Sequence, residues 1–139
     1  WSSCQTISSI LLTLCTVLND NPLLNEPHVK ETDKDIESYN KILTYKNILV
    51  GINGVLEWPF FQKKFSEFRD IICEEFRNNY NKIISKIENN IKDDGIVCHT
   101  SWYSSYKQNG EYNSHCCTLN YKLLRSNIEK LYDKYNKKS

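Results

Sequence analysis

Apolar residues recur at Ile7, Ile10, Leu11, Leu14, Cys15 and Leu18. That is the i, i+3, i+4, i+7 stripe of an amphipathic helix over residues 6–19, with Thr6 placed to cap its first turn. Pro22 and Pro27 break the pattern, because neither can continue a helix. Helical spacing resumes at Asp33 and runs through Ile36, Tyr39, Leu43 and Ile48 toward Val55, where Gly51 and Gly54 weaken its end. Pro59 suits the first turn of a third helix, carrying Phe61, Phe65, Phe68, Ile72, Phe76, Tyr80, Ile84, Ile87 and Ile91 in one continuous run. Asp93-Asp94-Gly95 supplies the left-handed turn signal that stops it. Residues 96–106 are rich in β-branched and aromatic side chains, Asn109-Gly110 is a two-residue hairpin signal, and 111–118 returns as a second strand. A last amphipathic helix over 121–136 places Leu124, Ile128, Leu131 and Tyr135 on one side. The expected order is three helices, a hairpin and a final helix, an α+β arrangement.

Composition narrows the classes of function. Within 139 residues, 18 Lys and Arg stand against 17 Asp and Glu, giving a net charge of +1. That balance argues against a protein that works by neutralising many phosphates, so no nucleic-acid partner is expected. Apolar runs fall far short of the ~20 residues a membrane span needs, so no membrane partner is expected, nor is a secretory leader. The sequence contains neither Met nor Ala, and is rich in Asn, Lys and Ile. The missing Met marks the chain as an expected fragment, and the rest reflects the coding sequence more than the chemistry.

Six cysteines (Cys4, Cys15, Cys73, Cys98, Cys116 and Cys117) sit largely within helical patterns, which reads as free thiols in a reducing cytoplasmic or nuclear compartment. The best metal candidate is Cys98-His99 with His115-Cys116-Cys117. Its spacing matches no standard zinc finger, and adjacent residues on a strand point to opposite faces. Small hydrophobes packing a hairpin is the better reading, so no metal and no organic cofactor are expected. The Phe61, Phe65, Phe68 and Phe76 stripe reads as a core face more than a partner-binding filler. No Gly-rich phosphate loop and no Ser in a G-x-S-x-G elbow is present.

One signal is sharper. Trp1-Ser2-Ser3-Cys4-Gln5-Thr6-Ile7 with its helix, then Asn21-Pro22-Leu23-Leu24-Asn25-Glu26-Pro27, then Tyr39-Asn40, resembles the segment that follows the active site in ubiquitin-conjugating enzymes. The Asn-Glu-Pro and Tyr-Asn elements look most like the large enzymes of that family that combine conjugating and ligase roles. The likeness covers 1–40 well and 59–91 loosely, and the tail after Gly95 carries no family motif.

The resemblance implies the C-terminal helical half of a ubiquitin-conjugating fold, with its sheet lying upstream. It divides the chain into the end of the catalytic core at 1–58, a helical extension at 59–94 and a hairpin-plus-helix tail at 95–139. The family's thioester-forming Cys and His-Pro-Asn element lie upstream of its Trp, so this chain contains neither, and alone it would be inactive. Ser2, Ser3 and Cys4 correspond to a loop that meets ligases; Ser9, Leu12 and Thr16 to the helix face that packs donor ubiquitin. Asn25 and Glu26 fall nearest the gate loop, which often carries an acid that positions or deprotonates the incoming lysine. Cys15 falls on the buried side of its helix. The implied function is ubiquitin transfer to a substrate lysine, with ubiquitin, an activating enzyme, a ligase and a protein substrate as partners. The alternative left open is a non-catalytic helical adaptor, or a conjugating-enzyme variant that binds ubiquitin or ligases. Without its sheet, the Ile7/Ile10/Leu14/Leu18 stripe has nothing to cover it, and each such side chain is worth ~1.5–3 kcal/mol when buried. The chain alone is therefore expected to fold poorly or aggregate.

Overall fold

A computed structural model describes residues 6–18, 20–100 and 115–136. The chain forms two units, one of residues 1–41 and 99–115, the other of 42–98 and 116–139.

In the first unit, α1 (Ile7–Val17) begins at Thr6 with a reciprocal capping box. The Ser9 N–H donates to Thr6 Oγ1 at 3.2 Å, and the Thr6 N–H donates to Ser9 Oγ at 3.0 Å. Two of the helix's first donors are thereby satisfied without an acidic residue. The apolar stripe is present, but it faces solvent: Ile7 and Leu18 are each 79% exposed and Leu14 is 50% exposed. Pro22 opens a single 3-10 turn, Pro22–Asn25, and Leu23 within it is fully buried. Asp33 Oδ1 accepts the N–H of Asp35 at 2.9 Å where α2 (Asp35–Ile48) starts.

The second unit holds the core. Its buried side chains include Ile42, Tyr45 and Ile48 of α2, Phe76 and Ile87 of α5 (Arg69–Asn89), and Leu124, Ile128 and Leu131 of α6 (Tyr121–Asn136). The α2 stripe that enters this core is Ile42/Tyr45/Ile48; of the expected row only Ile48 is buried, while Ile36, Tyr39 and Leu43 are half-buried. Beyond Ile48 the helix widens into a π-helical segment, Leu49–Gly54, and recovers as the short α3, Val55–Glu57. The two glycines thus do not end the helix. They loosen its winding.

The third helix is not one continuous run. Pro59 starts α4 (Pro59–Lys64), Phe65 leaves helical geometry at φ −111° and ψ 25°, and a 3-10 turn at Ser66–Phe68 leads into α5. Ser and Phe are middling helix formers, so this stretch gives way readily. The break also changes the fate of the Phe stripe. Phe76 is buried, Phe61 and Phe65 are half-buried and stack on each other at 5.9 Å, and Phe68 is 55% exposed. Only the last of the four expected core positions lies in the core.

Pro59 has no N–H to offer the carbonyls that close α3. The helical ladder stops at extended Trp58, and the Gln62 amide donates instead to the Leu56 carbonyl at 3.0 Å and the Glu57 carbonyl at 2.8 Å. Gly95 adopts φ 83°, the left-handed turn read from Asp93-Asp94-Gly95. The chain then forms the antiparallel pair β1 (Val97–Thr100) and β2 (His115–Thr118). Asn109-Gly110 lies outside the described residues. The observed α+β order, helices followed by a hairpin and a terminal helix, is the one the sequence predicts.

Candidate functional site

The residues singled out in the first unit lie on one helix, one turn and the start of a second helix. On α1, Ser9 is committed to the capping box, its hydroxyl also donating to the Thr6 carbonyl at 2.8 Å. Leu12 is 69% exposed and belongs to no core. Thr16 is exposed, and its hydroxyl donates to the Thr13 carbonyl at 2.7 Å. Leu12 is thus the apolar side chain of this trio, and it is open to solvent. Ser2, Ser3 and Cys4 lie outside the described residues.

Asn25 and Glu26 are exposed where the 3-10 turn ends, and the Glu26 N–H donates to the Leu23 carbonyl at 3.1 Å. Two residues on, His28 adopts φ 71°, a left-handed conformation uncommon outside glycine. It reverses the chain immediately after Pro27, and nothing in the residue pattern announces it. The Asn40 amide donates to Asn21 Oδ1 at 2.7 Å, across 19 positions of sequence. This bond joins the Asn-Pro element to the Tyr-Asn element and closes the loop that holds Asn25 and Glu26. Glu37 and Lys41 pair along α2 at 2.9 Å, and Lys41 holds the Glu37 carboxyl below its usual range.

Cys15 is exposed, not turned inward as expected, because the stripe it belongs to is itself uncovered. In the hairpin, Cys98 is buried, Cys117 half-buried and Cys116 exposed, with His99 exposed. No group of three or more metal-ligating side chains meets among the described residues. Among the described residues, the candidate positions bring together no nucleophile and base. Ser9, Leu12 and Thr16 share an exposed face of α1, and Asn25 and Glu26 stand on a loop pinned at its base by two asparagines.

Comparison with known proteins supports the family read from the motifs at the level of relationship. No family model matches the chain. It is similar to ubiquitin-conjugating enzyme E2 Z of Danio rerio, at 28% identity over 89 positions covering 54% of this chain and 27% of that protein. Against ubiquitin-conjugating enzyme E2 Z of Homo sapiens the identity is 25% over 91 positions, covering 54% and 25%. The chain spans about a quarter of the length of the curated relatives it matches. These similarities relate it to the ubiquitin-conjugating enzymes.

Proposed function

We propose that this chain is the part of a ubiquitin-conjugating enzyme that follows the catalytic cysteine. The observation that carries the reading is the Asn40–Asn21 hydrogen bond at 2.7 Å. The Asn-Pro and Tyr-Asn motifs that carry the resemblance are partners in space, as parts of one working loop would be. The similarity to relatives bearing the ubiquitin-conjugating name supports the same reading.

In this division of labour the upstream cysteine takes ubiquitin from an activating enzyme as a thioester and passes it to a substrate lysine. The present chain orients the conjugate. The face with Ser9, Leu12 and Thr16 holds donor ubiquitin, and Leu12 supplies the apolar contact. Such holding favours reaction geometry more than gross affinity. Asn25 and Glu26 line the approach of the lysine, Glu26 as the carboxylate that positions its ammonium, and Ser2, Ser3 and Cys4 meet the ligase. The Asn-Glu-Pro and Tyr-Asn elements favour the large hybrid enzymes within the family.

The test mixes the full-length protein with activating enzyme, ATP and ubiquitin, and reads a thiol-sensitive adduct on a non-reducing gel. An adduct that disappears with reductant and persists in the Cys4→Ser/Cys15→Ser variant supports the enzyme. No adduct from folded protein overturns it and leaves the helical adaptor.

A further inference from the structure

The second unit carries an apolar groove that the proposed function does not use. It lies between the π-helical segment and α5, with a cavity volume of about 390 Å³. Ile52, Val55, Ile72 and Phe76 form its walls, and Ile71 stands at the edge, 62% exposed. Gly51 belongs to the lining, and a Cβ built there meets nothing within 4 Å, so a larger side chain has room at the groove's margin. Along α5 the lining runs from Ile71 to Ile83, roughly 18 Å at 1.5 Å per residue, about three turns of a partner helix.

The charged residue in the lining is Glu75, which is exposed. Its carboxylate accepts from the Asn79 amide at 3.1 Å and makes no ion pair among the described residues. Glu74 beside it adds a second exposed negative charge. The next cation along the helix, Arg77, reaches the Tyr135 carbonyl on another side of α5. An occupant that brought an acidic residue to this edge would be repelled by Glu75. A cation beside the apolar anchors would pair with it instead.

We propose that this groove binds an amphipathic helical segment of a partner protein, with apolar side chains at i, i+3, i+4 and i+7 and a Lys or Arg placed to meet Glu75. This inference does not depend on ubiquitin transfer.

The probe is a fluorescein-labelled 14-residue peptide with four leucines at that spacing and flanking arginines, against the same peptide with glutamates. Both are titrated by anisotropy into the full-length protein. The arginine peptide should bind at least about tenfold more tightly than the glutamate peptide, and Glu75→Lys should reverse the order. Gly51→Leu, which adds a side chain at the groove's margin, should weaken the arginine peptide by about tenfold or more. Circular dichroism checks that each variant keeps its helices, and because Glu75 is exposed its substitution tests the site even if Gly51→Leu unfolds. Equal affinity for the two peptides, no binding of either, or binding unchanged in folded Gly51→Leu overturns the proposal. So does concentration-dependent self-association that Gly51→Leu abolishes, which would assign the groove to a second copy of the chain.

Discussion

The Tyr135 hydroxyl accepts from Arg69 Nη2 at 2.7 Å and donates to the Leu56 carbonyl at 3.1 Å, so one oxygen ties the end of α6 to α3 and the start of α5. Tyr135→Phe keeps the ring and strands both partners. A loss of about 1–3 kcal/mol in urea unfolding is expected. Asp94 acts at the other end of α6, where its Oδ1 accepts the Lys122 N–H at 3.0 Å and its Oδ2 faces Lys122 Nζ at 3.1 Å. That N–H bond, with the Lys122 charge, holds the Asp94 carboxyl below its ordinary value. A lowered carboxylate stabilises the fold above the unfolded value, near pH 4, and the contribution disappears as pH falls through the folded value. Asp94→Asn should therefore melt below the parent at pH 7, with the gap closing under about pH 4. Burial acts oppositely on Tyr121, raising its phenol to about 12. Its contribution is complete below about pH 10 and lost as pH climbs through about 12. Phenolate absorbance should show Tyr121 ionising later than an exposed tyrosine, or together with unfolding.

The two glycines of the π-helical segment make opposite predictions. At Gly51 an added methyl meets open space, and Gly51→Ala should stabilise by about 0.5–1 kcal/mol through the chain entropy it removes. At Gly54 the methyl would sit 3.0 Å from the Trp58 ring, so Gly54→Ala should cost about 1–3 kcal/mol. Paired thermal melts decide both. These elements also show what the residue pattern could tell. The Thr6 cap of α1, the Gly95 stop and the Leu124/Ile128/Leu131/Tyr135 face were legible, because each depends on neighbours within a few residues. The break at Phe65 and the shifted α2 face were not, because tertiary packing chose between rows of nearly equal apolarity. Of the candidate site, the motifs were readable, while the bond from Asn40 to Asn21 and the reversal at His28 depend on how distant segments meet or bend.

Across the whole molecule, apolar surface is distributed unequally. The second unit buries Ile87, Leu119 and Ile128 completely, whereas α1 leaves Ile7, Leu11, Leu12 and Leu14 each at least half exposed. Ile128→Ala should cost about 2–5 kcal/mol in denaturant unfolding. The Leu11→Ser/Leu14→Ser variant should leave that transition in place and lower light scattering at high concentration, since large exposed apolar surface drives association. The face of α5 that includes Phe76 is covered by α6, whose Tyr135 comes 59 positions later in the chain. At synthesis rates of 5–20 residues per second, roughly 3–12 s separate the appearance of the two. A nascent chain therefore carries an uncovered aromatic and isoleucine face for seconds before its lid exists. During that interval the exposed face is open to association with neighbouring chains, a hazard that ends only when α6 is made.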